Sequence, residues 1–172
     1  MRWLRILLGL SALGTGVYLI ANSPNESSDS SSCPKATQDV ALNTKNRNKT
    51  IKQYGYGPAN PAAPNADFWY NFAKSFEMAN EEPTQEDINA VKGMRCGNCV
   101  AFDVSPRMKA CLPPSANVDL WDKQALESQA TLGYCWMHHF KCASTRTCRT
   151  WAQGGPITKD SVSYDWQAKA KV

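Results

Sequence analysis

Cysteine is the residue type in this chain most able to do chemistry. The 172 residues include seven cysteines, and six of them lie between Cys96 and Cys148. The first two form the C-x-x-C run CGNC, whose tight turn places both sulfurs on one side with backbone amides able to point at them. Such a density predicts an iron–sulfur cluster, a structural zinc site or a disulfide framework.

Each arrangement uses a different set of side chains. A [4Fe–4S] cluster needs four thiolates, and the predicted ligands are Cys96, Cys99, Cys111 and Cys135. The bulky side chains expected to surround that cluster are Phe102, Leu112, Tyr134, Trp136 and Phe140. Of these, Tyr134, Trp136 and Phe140 are predicted to keep water away from it. A zinc ion would take Cys96, Cys99, Cys135 and His138, with His139 as another donor. In a disulfide framework the six clustered cysteines form three bridges, and Cys33 stays free or joins one of them.

The motif order then suggests a family. The runs CGNCVAF, MKACLPP and LGYCWMHHF, over about residues 94–140, resemble the cluster-binding half of high-potential iron–sulfur proteins (HiPIPs). The resemblance implies a small, loop-rich fold and an exported one-electron carrier that performs no bond chemistry and meets a redox partner protein. A weaker similarity over the whole cysteine-rich domain is to small cysteine-rich proteins of marine tailed phages, and it implies no particular role.

Two departures from the HiPIP pattern keep a second function open. The interval between Cys111 and Cys135 is long, and Cys142 and Cys148 lie outside the motif, where the short intervening segment would let them pair. A chain threaded unfolded into an oxidising compartment would also form disulfides first. The alternative is a non-catalytic structural or interaction module, stabilised by disulfides or zinc, such as an envelope or virion component or an accessory subunit of a membrane complex.

Charge and composition exclude other classes. The net charge of +4 is too small to indicate nucleic-acid binding. A cysteine nucleophile needs a base and an orienting group, and no Asp or Asn follows His138 at a telling spacing, so neither an enzyme nor a small-molecule substrate is predicted. The basic residues of one predicted helix, Lys45, Arg47, Lys49 and Lys52, leave an anionic partner open but are interpreted as a solvated face.

The N-terminus predicts a membrane segment. Arg2 and Arg5 precede an uncharged run from Ile6 to Ala21, which indicates a signal anchor or transmembrane helix over 1–22. The predicted topology has the N-terminus in the cytoplasm and the domain on the exported face, or exported after cleavage. The serine-rich segment 23–32 reads as a flexible linker.

The elements that position the cysteines are predicted to be short helices. Helices are expected over Thr37–Gln53, after a cap at Asn65, after a Thr84–Asp87 capping box, and over Asn117–Gln129. No strand pattern of any length follows residue 96. The predicted fold is a small, irregular, α-rich, cysteine-nucleated domain with little strand behind an N-terminal membrane helix. It spans 33–158 with a HiPIP-like core over 94–152 and a C-terminal tail over 159–172.

Overall fold

The fold is known from a computed structural model that describes residues 33–76, 82–112, 123 and 130–170. These residues belong to one compact unit, Ser32–Val172, while the unit Met1–Ser31 lies outside the described residues. The helices are α1 (Lys35–Gln38), α2 (Val40–Tyr54), α3 (Phe68–Lys74), α4 (Gln85–Gly93), α5 (Pro106–Cys111) and α6 (Asp160–Ala170), with a 3₁₀ turn over Cys96–Asn98. The strands are β1 (Phe102–Asp103), β2 (Leu132–Cys135) and β3 (Phe140–Ala143).

The three strands form an antiparallel sheet in the order β1-β2-β3. Strands β2 and β3 make a hairpin in which Cys135 faces Phe140 and Gly133 faces Cys142, so Cys135 and Cys142 project from the same face. The connecting turn ends at His139, whose φ of 54° lies in the left-handed region. The expectation of no strand after residue 96 is wrong. All four residues of β3, including Lys141, are buried, so the strand has no alternation of buried and exposed positions for a sequence pattern to reveal.

The sheet separates two apolar cores. One contains the pocket cysteines described below, and its bulkiest members are Tyr56, Phe102 and Phe140. The other, built on α1 and α5, contains Tyr134 and Trp136 from the opposite side of β2. Because successive residues of a strand point to opposite faces, one short strand supplies both cores.

Local signals set the helix ends. Helix α2 starts at Val40, where the Asp39 carboxylate accepts a hydrogen bond from the Leu42 amide at 2.9 Å, and stops at Gly55, whose φ is 63°. The predicted helix over Thr37–Gln53 is therefore confirmed apart from its start, since the residues before Asp39 belong to α1. The capping box of Thr84 and Asp87 is also confirmed and begins α4.

Two other helix predictions have different outcomes. The predicted cap at Asn65 is wrong by two residues: α3 starts after Asp67, and the Asn65 side chain instead accepts a hydrogen bond from the Asp67 amide at 2.9 Å. The predicted helix over Asn117–Gln129 lies outside the described residues, except for Lys123.

The predicted membrane helix needs correction. Within the described ranges, no helix has both the length and the apolar character needed to cross a bilayer. Residues 1–22, where the anchor was expected, lie outside those ranges. The assignment as a single-pass membrane protein with its domain on the exported face, and the membrane part of the expected fold, therefore have no support in this structure.

Helix α6 is fastened to the core by a polar cluster. Asp103 is fully buried, and its carboxylate accepts hydrogen bonds from the Trp136 indole at 2.8 Å, from the Ser105 amide at 2.9 Å and from the Ser163 hydroxyl of α6. The Arg107 guanidinium donates to the same Ser163 hydroxyl at 2.8 Å. A buried carboxylate with three donors holds the helix firmly because each lost partner would leave a polar group unpaired.

Candidate functional site

One small pocket collects every described cysteine that is not in a disulfide. The five free cysteines are Cys96, Cys99, Cys135, Cys142 and Cys148, and all five line the same pocket. Most of the other lining residues are apolar, the largest being Phe102, Met137 and Trp151. We call this group the cysteine pocket.

Backbone hydrogen bonds bring three distant chain segments to the pocket. The 3₁₀ turn is tied to the segment that follows β3 by hydrogen bonds from Cys96 N–H to Arg146 O at 2.7 Å and from Gly97 N–H to Ser144 O at 2.9 Å. The segment carrying Cys148 is in turn held against α2 by Arg149 N–H to Tyr54 O at 2.9 Å. The pocket is therefore assembled by long-range pairing and not by one continuous motif.

A glycine allows the C-terminal segment to cross the C-x-x-C turn closely. A Cβ placed on Gly155 would lie 1.7 Å from the Cys99 carbonyl oxygen, a separation that no side chain can adopt. The Trp151 indole closes the same side, donating to Arg95 O at 2.9 Å and Asn98 Oδ1 at 2.8 Å. Glycine at 155 is thus required for this wall of the pocket.

Three of the sulfurs receive backbone N–H donors. Cys99 is hydrogen-bonded by the amides of Ala101 and Ala152. Cys135 is hydrogen-bonded by the amides of Met137 and His138 in the hairpin turn, and Cys148 by the amide of Thr150. Amide donors aimed at sulfur are the arrangement that stabilises a thiolate bound to a metal or cluster.

Burial opposes the charged form of most of these thiols. It raises the pKa of Cys99, raises the pKa of Cys148 to about 12, and holds the pKa of Cys142 well above its usual range. The exception is Cys135, whose pKa is lowered, chiefly by its hydrogen bond with Cys142. Thiols protonated at neutral pH are poor nucleophiles, so the pocket as a whole does not resemble a cysteine protease centre.

The sulfurs lie close together, and they do not form a preorganised ligand set around a site for one metal ion. The pocket encloses about 20 Å³, roughly the room of one water molecule. No group of three or more His, Cys, Asp or Glu side chains within the described ranges is arranged to hold a metal ion. The sequence predicted a metal-binding, iron–sulfur protein. The described structure contains no ready-formed metal-ligand set and does not support that expectation.

The predicted ligand Cys111 is elsewhere. Its sulfur is bonded to Cys33 at 2.02 Å, across a sequence separation of 78 residues, and it lies in the core on the other side of the sheet. The structure thus brings together three of the four predicted ligands, Cys96, Cys99 and Cys135. Cys142 and Cys148, expected as a local pair, are both free and both in the pocket.

The predicted aromatic surroundings are only partly those observed. Tyr134 and Trp136 flank Cys135 in sequence and therefore point to the opposite core. Phe140 does pack in the same core as the pocket cysteines but does not line the pocket. The expected wall residue Phe102 does line the pocket, whereas Leu112 lies in the opposite core. Trp151, three residues after Cys148, also lines the pocket and was not predicted to do so.

The histidines lie beside the pocket rather than in it. The His138 ring stacks on Tyr54 with ring centroids 4.6 Å apart, and its Nε2 lies 2.6 Å from the Thr150 hydroxyl. Burial lowers the pKa of His138 to about 4. Neither His138 nor His139 is among the residues that line the pocket, so the predicted C-x-x-C plus histidine set for zinc is not assembled in this structure.

Comparison with known proteins adds no assignment: no family model matches the chain, and no curated protein and no solved structure is significantly similar to it.

Proposed function

We propose that this protein is a one-electron carrier whose [4Fe–4S] cluster is held in the cysteine pocket. The observation that carries the proposal is the convergence of five unpaired thiols on one pocket with largely apolar walls. A cluster of this kind needs four cysteine thiolates, and the pocket offers that number with one to spare. The HiPIP-like order of the C-x-x-C pair and the glycine–aromatic–cysteine run supports the same function.

The amide donors suggest which four cysteines serve. Cys99, Cys135 and Cys148 each have at least one backbone N–H directed at the sulfur, and Cys96 completes the C-x-x-C turn. Cys142 differs, because its sulfur is hydrogen-bonded to the sulfurs of Cys135 and Cys96 instead. The proposed set is therefore Cys96, Cys99, Cys135 and Cys148, with Cys142 as a neighbouring thiol.

The protein's own groups would hold and insulate such a centre. The bound cluster would supply the chemistry, accepting and returning one electron. Its binding would require the closely packed sulfurs to turn outward, since the present space is only about 20 Å³. Phe102 and Trp151 exclude water from two sides, and the amide donors to sulfur offset the thiolate charge, both of which shift a cluster's potential.

The disulfide and the free thiols are compatible because they lie apart. Cys33–Cys111 belongs to the core on one side of the sheet and the cysteine pocket to the core on the other. Of the five free thiols, four are buried and only Cys135 is half-buried. Restricted access slows oxidation of a thiol, so one chain can keep the bridge oxidised while the pocket stays reduced.

A second candidate function has its own observation. The Cys33–Cys111 disulfide fastens the start of the described chain to α5, as expected for a disulfide-stabilised structural or interaction module. In that function the five remaining thiols are only core residues, and no iron binds.

Metal analysis distinguishes the electron carrier from the structural module. The protein is purified without oxygen, after supply of iron and sulfide, and its iron, acid-labile sulfide, visible absorption and free thiols are measured beside the Cys148→Ala and Cys111→Ala variants. We expect about four irons per chain in the wild type, loss of iron in Cys148→Ala and retention in Cys111→Ala. A colourless wild-type protein with five reactive thiols would refute the carrier and favour the module.

A further inference from the structure

Helix α2 carries a stripe of lysines that nothing in the described structure neutralises. Lys45, Lys49 and Lys52 follow one another at spacings of four and three residues, so they share one face of the helix, and all three are exposed. No acidic residue occurs within α2. Among the described residues no ion pair involves any of the three lysines. We call this face the lysine stripe.

The opposite face of α2 explains why the stripe has a fixed position. Asn43, Arg47 and Thr50 are buried on that face, and the Asn43 amide oxygen accepts a hydrogen bond from the Lys141 N–H of β3 at 2.7 Å. The Asn46 amide, on an intermediate face, donates to His139 O in the hairpin turn at 2.7 Å. Helix α2 is therefore locked against the hairpin that carries Cys135.

The stripe borders the cysteine pocket through a short chain of contacts. Lys49 is near enough to His138 to contribute to its lowered pKa, after burial and the neighbouring His139. His138 contacts the Thr150 hydroxyl at 2.6 Å, and that hydroxyl lies 3.2 Å from the Cys148 sulfur. Lys49 of the stripe thus lies near the hairpin turn that carries Met137 and His138.

An exposed apolar residue, Met137, lies in the same hairpin turn. Met137 lines the pocket, yet 39% of it is exposed, which is unusual for a large apolar side chain next to a buried cluster of sulfurs. Its neighbour Cys135 is the one pocket cysteine that is not fully buried. A small apolar point beside a band of one charge is typical of a surface that receives a partner by electrostatic steering and then excludes water at the contact.

We infer that the lysine stripe and Met137 form the docking surface for an acidic redox partner protein. This inference rests on the proposed function. Charge complementarity identifies the occupant, because three unneutralised ammonium groups attract a face rich in carboxylates. The apolar point would bring that partner within a short distance of Cys135, the most accessible ligand of the proposed centre.

Small oxidants of opposite charge test the steering. With the iron-loaded protein, one electron passes from the protein to ferricyanide, an anion, or to tris(phenanthroline)cobalt(III), a cation, and the second-order rate constants are measured against ionic strength. We expect the triple variant Lys45→Gln, Lys49→Gln, Lys52→Gln to react about tenfold more slowly with ferricyanide at low salt. Its reaction with the cation should become faster.

The matched control removes the same charge elsewhere. Lys109, Lys159 and Lys169 are exposed and outside α2, so changing these three to Gln alters the net charge equally and should change the ferricyanide rate less than twofold. Equal effects of the two triple variants would overturn the docking surface, because net charge and not local charge would then be responsible.

A binding measurement does not require iron. Polyglutamate, polylysine and vesicles containing phosphatidylserine are titrated into the isotopically labelled protein, and amide shifts are followed by NMR. We expect polyglutamate alone to shift the resonances of α2 and of the turn at Met137. In the triple variant of Lys45, Lys49 and Lys52 these shifts should be absent. Shifts at the stripe in a protein that takes up no iron after supply of iron and sulfide would keep the stripe as a surface for an acidic protein and refute the carrier. Iron without shifts, or a preference for the vesicles, would refute the docking surface.

Discussion

Removing the Cys33–Cys111 bridge is the sharpest test of how the cysteines are divided. The sequence favours Cys111 as a metal ligand, whereas the structure joins it to Cys33. A ligand and a disulfide partner respond differently to mutation. If Cys111 is a ligand, substituting Cys33 should leave the stability unchanged. If the two are bonded, substituting either cysteine removes the same bridge.

The size of the effect follows from the loop that the bridge closes. A sequence separation of 78 residues gives a loss of unfolded-state entropy worth about 4.5 kcal/mol at 25 °C on the chain-entropy estimate. Cys111 is buried and Cys33 half-buried, so Cys111→Ala should cost about 1 kcal/mol more through lost packing. At about 3 °C per kcal/mol for a chain of this size, the melting temperature should fall by about 13 °C in Cys33→Ala and about 16 °C in Cys111→Ala.

The assay is urea unfolding of the iron-free protein under nitrogen, without reductant. Cys33→Ala, Cys111→Ala and the double variant should agree to within about 1.5 kcal/mol, because the second substitution has no bridge left to remove. Wild-type protein treated with a thiol reductant provides the control and should approach the variants. A large loss in Cys111→Ala, with Cys33→Ala near wild type, would refute the bridge and restore Cys111 as a ligand.

Three further predictions concern the residues that hold the pocket and its surroundings. Gly155→Ala should destabilise the fold by at least about 3 kcal/mol in urea unfolding, since its Cβ would lie 1.7 Å from the Cys99 carbonyl. Gly93→Ala, where no atom lies within 4 Å of the added carbon, should stay within about 0.5 kcal/mol of wild type. Asp103→Ala should cost about 3–5 kcal/mol and expose α6 to limited proteolysis, because an indole, a hydroxyl and an amide lose their acceptor; an unchanged cleavage rate would contradict this. Burial lowers the pKa of His138 to about 4, below the value near 6.5 of an unfolded chain, so stability should fall as the pH drops from about 6.5 to 4. An NMR titration of the His138 ring that gave a value near 6.5 would show this reasoning to be mistaken.

The features that could be predicted from the sequence are those controlled by neighbouring residues. The end of α2 at Gly55 needs only one residue able to adopt positive φ, and the start of α4 needs only the Thr84–Asp87 pair. The closeness of Cys96 and Cys99 follows in the same way from a turn of four residues. Each of these depends on contacts within one helical turn, where residue type and spacing carry the whole signal.

The division of the cysteines could not be predicted because it depends on distant segments. Nothing near Cys33 indicates that its partner lies 78 residues away. Cys148 reaches the pocket because its segment is hydrogen-bonded to α2 and the turn of Cys96 is hydrogen-bonded to the segment after β3. The strands that organise these contacts are two to four residues long, too short for a periodic pattern to be recognised.

The alternation along β2 accounts for both the misplaced aromatic residues and the coexistence of two kinds of cysteine. Tyr134 and Cys135 are adjacent in sequence, so their side chains must enter opposite cores. The strand therefore acts as a partition, with the bridge of Cys111 on the Tyr134 side and the free thiols on the Cys135 side. A sulfur on one side can exchange with a sulfur on the other only if the sheet opens. The fold thereby keeps an oxidised pair and a reduced set of thiols apart within one small domain, a condition that a thiolate-bound redox centre in this pocket would need.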